Sequence, residues 1–346
     1  MSKKKDFFRK HKKWLIAAGV FVVVILAVAH FYCHASLLKD DETVHVYIDE
    51  DDTIDSVYAQ LVPNSSSLGM SAFKSLANIS GYDEHVRPGH YEIKAGDGAL
   101  SVVRRMKNGI QTPVQLVVSP TWTIEMECAR LARQLQCDSA DIAVLLNDQK
   151  WCEQHGYDTA TIACVFLPDN YEVYWNVKPE ALVERMIKEY SSFWNEERKA
   201  KAKALNLSPD KVTTLASIVD AETANSEEKP IIAGLYYNRL KKDMLLQADP
   251  TVKFALRQFG LKRIYNAMLR TESPYNTYVN KGLPPGPIRI TTKEGIDAVL
   301  NMKRHPYIYM CAKEDFSGRH NFAVTYAEHQ ANAAKYSKAL NERKIK

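Results

Sequence analysis

The chain has 346 residues, 46% of them hydrophobic and 25% charged, with a formal net charge of +5. Lys3, Lys4, Lys5, Arg9, Lys10, Lys12 and Lys13 precede Trp14 against the single acid Asp6, a local balance of +6 that leaves −1 for everything after it. A nearly neutral body lacks the basic face that nucleic-acid binding needs, which excludes that class, and the length suffices for two modest domains.

From Trp14 to Cys33 runs WLIAAGVFVVVILAVAHFYC, 20 residues without Asp, Glu, Lys or Arg. About 20 apolar residues cross a hydrocarbon core as a helix. His30, Phe31 and Tyr32 suit the interfacial end of such a helix. The basic flank at 1–13 predicts a cytoplasmic amino terminus and an extracytoplasmic remainder at the plasma (inner) membrane. A cleaved signal peptide is the competing reading, but its apolar core spans only ~7–15 residues before small residues at the cut. HFYCHAS does not supply those, and bulky Tyr32 argues against a lipoprotein cysteine at Cys33. The expectation is an uncleaved, single-pass signal anchor over 14–33.

After a short polar stem, LLKDDE, the order over 43–118 reads strand, helix, helix, strand, helix. HVYI (His45–Ile48) alternates as a strand does, Thr53–Leu61 and Met70–Ile79 have helical spacing, and RPGHYEIKAG (Arg87–Gly96) is a strand between turns. ALSVVRRMKNG (Ala99–Gly109) is an amphipathic helix closed by Gly109, and TPVQLVVS (Thr112–Ser119) leads out of the module as a strand. Small α+β modules of this kind often bind glycans, but the spacing alone does not prove it. The region 119–346 is mixed and mainly helical, so the fold class is α+β. Thr123–Leu135 and Glu180–Leu205 show helical spacing with charge on one face, and the aromatic, proline-bearing Val165–Glu180 between them is a loop or short strand pair. The six cysteines contain no CxxC pair, so neither a metal site nor a cofactor is called for.

LASIVDAETANSEEKPIIAGLYYNRL (Leu215–Leu240) places two acids in one apolar helical run. At ~100° per residue, Leu215, Ile218, Val219 and Glu222 share a stripe, while Asp220 falls on the far side with Ala216 and Thr213. A carboxylate inside an apolar stripe loses solvation, which raises its pKa and favours the protonated acid near neutrality. Glu222 is therefore the candidate acid; the plain alternative is a helix-end Glu reaching solvent or a nearby base. Asn225 or Ser226 can cap the next helix, with Pro230 in its first turn. Four further stretches are rich in Asn, Gln, Tyr and aromatic rings: FLPDNYEVYW, MLLQADPTVKFAL, SPYNTYVNKGLPPGPI and YIYMCAKEDFSGRHNFAVTYAEH. In the last, two strands around a turn at Gly318 bring His320 and Phe322 together. Amides bond sugar hydroxyls and rings stack on pyranose faces, so an acid among them suggests glycosidic cleavage. Taken singly, each such residue is as well explained by turn packing, a helix cap or a satisfied core histidine.

LASIVDAET, GLYYNRL, LLQADPTVKFAL, SPYNTYVNKGLPPGPI and RHNFAVTYAEH together resemble the endolytic murein transglycosylases (YceG-like), over roughly Thr43 to the carboxyl terminus. The resemblance implies an inner-membrane anchor, a LysM-like module over 43–118 and a catalytic domain over 119–346. It implies cleavage of the β-1,4 bond between N-acetylmuramic acid and N-acetylglucosamine in nascent glycan strands, leaving 1,6-anhydro ends, with synthases as possible membrane partners. The family's catalytic glutamate lies in a segment usually written I-V-E-x-E-T. Here Asp220 stands at the first acid and Glu222 at the second, and Ala163–Cys164 replace the Glu-Gly of many relatives. Residue type and motif position nominate Asn238, Gln247, Asp249, Thr251, Tyr275, Asn276, Tyr278, His320 and Phe322 for substrate binding, with Gln247, Asn276, Tyr278 and His320 orienting the sugar. Glu222→Gln should abolish cleavage and Asp220→Asn should change it little. A two-carboxylate hydrolase using Glu222 with Asp249, and a wall-binding scaffold without activity, are the competing readings.

Overall fold

The computed structural model describes residues 2–261 and 263–343. Helix α1, Ser2–Cys33, contains a 23-residue apolar stretch, His11–Cys33, with mean hydropathy 2.5 and none of it buried. At 1.5 Å per residue this is ~35 Å, long and apolar enough to cross a ~30 Å hydrocarbon layer. The fold is mixed α+β and mostly helical.

The chain divides into two compact units, one running to Val114 and taking in Glu172–Asn176, the other formed by Gln115–Tyr171 and the chain from Val177 on. In the first, β1 (Val44–Ile48) and β2 (Gly89–Ile93) pair antiparallel, Val46 opposite Tyr91. Helices α2 (Ile54–Leu61), α3 (Ser67–Ser80) and α4 (Ala99–Lys107) complete it in the expected order. The period-2 alternation sends Val46 and Ile48 into a core with Val57, Leu61, Phe73, Tyr82, Val102 and Met106. Gly109, at φ 65°, follows α4 as the left-handed residue that releases the chain. The polar stem is corrected at Leu37 and Leu38. Both are buried in this core, and Leu37 N–H and Lys39 N–H donate to Asp97 and Asn64 carbonyls, so this segment is built into the unit.

Strand β3 (Val114–Val118), most of which belongs to the second unit, pairs with β4 (Asp169–Val173), the one strand that the Val165–Glu180 segment provides. Between them lie α5 (Ile124–Ala132), α6 (Ser139–Leu146) and α7 (Gln149–Gln154). The long helical pattern over Glu180–Leu205 is two helices, α8 (Pro179–Phe193) and α9 (Glu196–Ala204). The break falls where Asn195 turns its side chain onto Arg198 N–H as an N-cap.

Then come α10 (Pro209–Glu222), α11 (Lys229–Lys241), α12 (Asp249–Ala255) and α13 (Lys293–Leu300). The hairpin β5 (Tyr309–Ala312) and β6 (His320–Ala323) pairs Ala312 with His320 around a turn in which Gly318 takes φ 73°. Helix α14 (Tyr326–Glu342) closes the unit under a Thr325–Glu328 capping box. Residues Val212–Asp220 of α10 are all buried, so α10 is a core helix with no solvent face. That corrects the two-sided reading: Asp220 is as enclosed as the apolar stripe. Its side chain is 2% exposed and pairs with Lys229 Nζ at 2.9 Å, while Thr292 N–H and Oγ1–H each donate to Oδ2 at 2.8 Å. Lys229 also reaches Glu294 at 2.7 Å. A Cβ at Gly295 would stand 2.5 Å from Asp220 Oδ1, which is how closely α13 packs on this carboxylate.

Candidate functional site

Glu222 is the last residue of α10, because Thr223 leaves helical geometry for an extended one (φ −147°, ψ 143°). The helix therefore ends with its final side chain lining a cavity of about 370 Å³. The lining also includes Tyr236, Arg239, Gln247, Asp249, Tyr278, Cys311, His320 and His329. Tyr236 Oη–H donates to Glu222 Oε1 at 2.5 Å. Burial pushes the Glu222 carboxyl up from 4.5 to about 7; the Tyr236 bond and Lys253 pull it down, and Asp249 repels the charged form. Burial likewise holds Tyr236 well above the ordinary phenol value, so it stays a neutral donor. Near neutrality Glu222 is thus divided between acid and carboxylate, the condition that suits one group to both donate and accept a proton.

Around it the polar groups are fixed. Tyr278 Oη–H donates to Asp249 Oδ1 at 2.6 Å. Glu228 is buried and accepts twice from His320, from backbone N–H at 2.9 Å and from Nδ1 at 3.0 Å. Because the carboxylate accepts, Nδ1 carries the proton and Nε2 is the ring nitrogen left for other partners. This corrects the expected cap at Asn225 or Ser226: Glu228 occupies the N-cap of α11 without a side-chain capping bond, and Asn225 Oδ1 accepts from Glu227 N–H. Arg239 donates to the carbonyls of Ile308, Leu245 and Leu246 at 2.6, 3.0 and 2.8 Å, and to Gln247 Oε1 at 3.2 Å. It ties the approach to β5 to the loop carrying Gln247, whose backbone sits in the left-handed region at φ 52°.

Of the nominated residues, Glu222, Gln247, Asp249, Tyr278 and His320 line one cavity. The other nominated residues lie elsewhere. The Asn276 amide is fully buried and donates to Leu269 and Thr271 carbonyls, shaping the 269–278 loop. Thr251 Oγ1–H donates to Ala248 O at 2.6 Å and lies 2.9 Å from Thr277 Oγ1, stapling that loop to α12. Asn238 Nδ2 donates to His305 and Tyr307 carbonyls. Phe322 stacks on Tyr307, and Tyr275 lines a second cavity against Phe254. Their hydrogen-bonding capacity or ring faces are committed away from Glu222, which residue type alone does not reveal.

Tyr236, Glu228 and His329 are lining or supporting residues that the sequence does not nominate, and Arg239 stands out there only as a polar neighbour of Asn238. A signal existed: Tyr236 and Arg239 are three apart, hence on one face of α11, within the flagged GLYYNRL. Among the described residues no three His, Cys, Asp or Glu side chains gather as a metal cage would. The cysteines are free thiols, Cys128, Cys152 and Cys164 buried.

Tyr236→Phe removes the bond that favours the charged form of Glu222. The alkaline limb of the pH–rate profile should then move to higher pH, and kcat should fall about ten- to hundredfold as the carboxyl loses its fixed orientation. An unmoved limb would detach Tyr236 from the acid.

The chain is 27% identical over 322 residues to the endolytic murein transglycosylase of Bacillus subtilis, covering 88% of each chain. It is 29% identical over 177 residues to the endolytic murein transglycosylase of Streptococcus pneumoniae strain D39, covering 49% of this chain but only 31% of that longer relative. The crystal structure of a YceG-like protein from Listeria monocytogenes shares the fold, with a TM-score of 0.57 over 84% of this chain and 99% of that one at 24% identity. The profile of the YceG-like family matches residues 46–335, and the protein belongs to that family.

Proposed function

We propose that this protein is a membrane-anchored endolytic murein transglycosylase with Glu222 as its single acid–base. The observation that carries the reading is the Glu222 carboxyl, bonded by Tyr236, raised to about 7 by burial and lining a polar cavity. Protonated Glu222 donates to the glycosidic oxygen of an N-acetylmuramic acid–N-acetylglucosamine bond as C1–O4 breaks and C1 becomes oxocarbenium-like. The carboxylate then takes the proton from the muramic O6, which bonds to C1 and closes the 1,6-anhydro ring. Glu222 ends as it began, and no water is consumed. Gln247, Tyr278 and His320 orient the sugar around the bond.

The strand–helix–helix–strand order over 43–118 supports a LysM-like module that holds the glycan, and 119–346 is then the catalytic domain. The apolar helix over 14–33, with seven basic residues before it, supports an anchor with a cytoplasmic amino terminus and an extracytoplasmic body. Cleavage in that position shortens nascent strands beside the membrane synthases and terminates their elongation.

One observation favours a second reading. Asp249 lines the same cavity and acts electrostatically on Glu222, as the paired carboxylates of a hydrolase do. Mass spectrometry of purified peptidoglycan strands treated with the protein separates the two. New ends lighter by one water than hydrolytic ends establish the lytic route; hydrated ends assign the two-carboxylate route; no new ends leave a binding scaffold.

A further inference from the structure

The segment that follows Glu222 carries a buried carboxylate that the cleavage scheme leaves unused. Glu228 is 5% exposed and makes no side-chain capping bond to α11. Both its oxygens serve one residue: Oε1 accepts from His320 backbone N–H at 2.9 Å and Oε2 from His320 Nδ1–H at 3.0 Å. Its neighbour Glu227 pairs with Arg319 at 2.8 Å, so two consecutive acids hold two consecutive residues at the head of β6. The pairs differ in burial. The Arg319 and Glu227 side chains are 49% and 74% exposed, those of His320 and Glu228 13% and 7%. An exposed pair contributes little, whereas taking a carboxylate out of water is costly. What that cost yields here is one fixed imidazole.

His320 lines the Glu222 cavity and Glu228 does not, so the carboxylate stands behind the ring. With Nδ1–H held by Glu228, Nε2 keeps a lone pair and has no partner among the described residues. Other acceptors of the cavity are already engaged, Gln247 Oε1 by Arg239 and Asp249 Oδ1 by Tyr278.

We infer that Glu228 is a positioning residue for cleavage: it locks His320 in the Nδ1–H tautomer, so that Nε2 accepts from a sugar hydroxyl and holds that sugar beside Glu222. The inference rests on the glycan-cleaving reading above. Glu222 remains the group that exchanges protons with the reacting bond.

The test is Glu228→Gln in the full-length protein in detergent. The His320 backbone N–H can only donate, so the amide oxygen must face it and the amide NH2 must face Nδ1. Nδ1 then accepts, the ring proton moves to Nε2, and the cavity meets a donor where it had an acceptor. Both bonds survive, so the melting temperature should stay within about 2 °C of the parent. The kcat on peptidoglycan strands should fall about ten- to hundredfold. His320→Ala should lose about as much, and adding Glu228→Gln to it should lose nothing further. Nitrogen-15 NMR at alkaline pH, where ordinary imidazoles are neutral, should place the His320 proton on Nδ1 in the parent and on Nε2 in Glu228→Gln. The His320 signal is identified by its absence in His320→Ala.

In a parent that cuts strands, four results each overturn the positioning role alone. These are a parent ring protonated at Nε2, an unchanged kcat in Glu228→Gln, additive losses in the double variant, and a melt far below the parent, which would mean that Glu228 serves the fold. A parent that cuts no strand sinks the cleavage reading and this role with it, whichever tautomer the ring shows.

Discussion

Glu222→Gln should lower kcat on glycan strands by about three orders of magnitude or more while the protein folds normally. The amide keeps the shape of the carboxyl and can still meet Tyr236 Oη, but it has no proton to give to a leaving oxygen and no charge with which to take one back. The same substitution has a second expected effect, on stability. The Glu222 carboxyl titrates at about 7 in the folded protein against an ordinary 4.5. The folded state therefore binds this proton more tightly than the unfolded state does. Below pH 4.5 both states are protonated and the group costs nothing. Between 4.5 and 7 stability declines as the unfolded chain ionises, and above 7 the full cost is present, on the order of 1–3 kcal/mol for a partly accessible group. Gln carries no such cost. Thermal melts should show Glu222→Gln more stable than the parent at pH 8 and equal to it near pH 4. A variant that is inactive and also less stable at pH 8 would mean the side chain holds the fold instead of serving chemistry.

The second large effect falls on Asp220→Ala, and it concerns the scaffold. Removing this carboxylate leaves Lys229, 6% exposed, with only the more exposed Glu294 to pair with, and strips the acceptor from Thr292 N–H and Oγ1–H. Breaking a buried pair on one side costs about 3–5 kcal/mol; the remaining Glu294 contact reduces this to about 2–4. In a unit of this size the melting temperature should fall by about 5–12 °C. Asp220→Asn keeps an oxygen for Thr292 and should fall between that variant and the parent. The expectation that Asp220→Asn changes cleavage little concerns activity; the effect on stability follows from the buried ion pair that braces α10 against α11 and α13. A melt unchanged by Asp220→Ala would show that the network carries no stability.

Much of the architecture was legible because local rules suffice for it. The apolar run before Cys33, the period-2 strands around Val46 and Tyr91, and the Gly109 exit from α4 depend on neighbours along the chain. The sidedness of α10 was not legible, because burial on every face is decided by α11, α12 and α13, which the 3.6-residue pattern does not contain. Glu222 lines the cavity even so, because it stands at the end of α10 where the chain leaves the helix. The polar residues divided for a related reason. Gln247 and His320 line the cavity, whereas Asn276 and Thr251 have the same chemistry but spend it on Leu269, Thr271 and Ala248 carbonyls. Tyr275 and Tyr278, three residues apart in a loop without helical periodicity, part to different cavities.

The most direct measurement is a carbon-13 NMR titration of glutamate side-chain carboxyls in the full-length protein, with the Glu222 signal identified by its absence in Glu222→Gln. A midpoint near 7, moving upward in Tyr236→Phe, is the expected result. A midpoint near 4.5, insensitive to Tyr236, would mean that Glu222 is an ordinary solvated carboxylate at working pH and cannot be the acid.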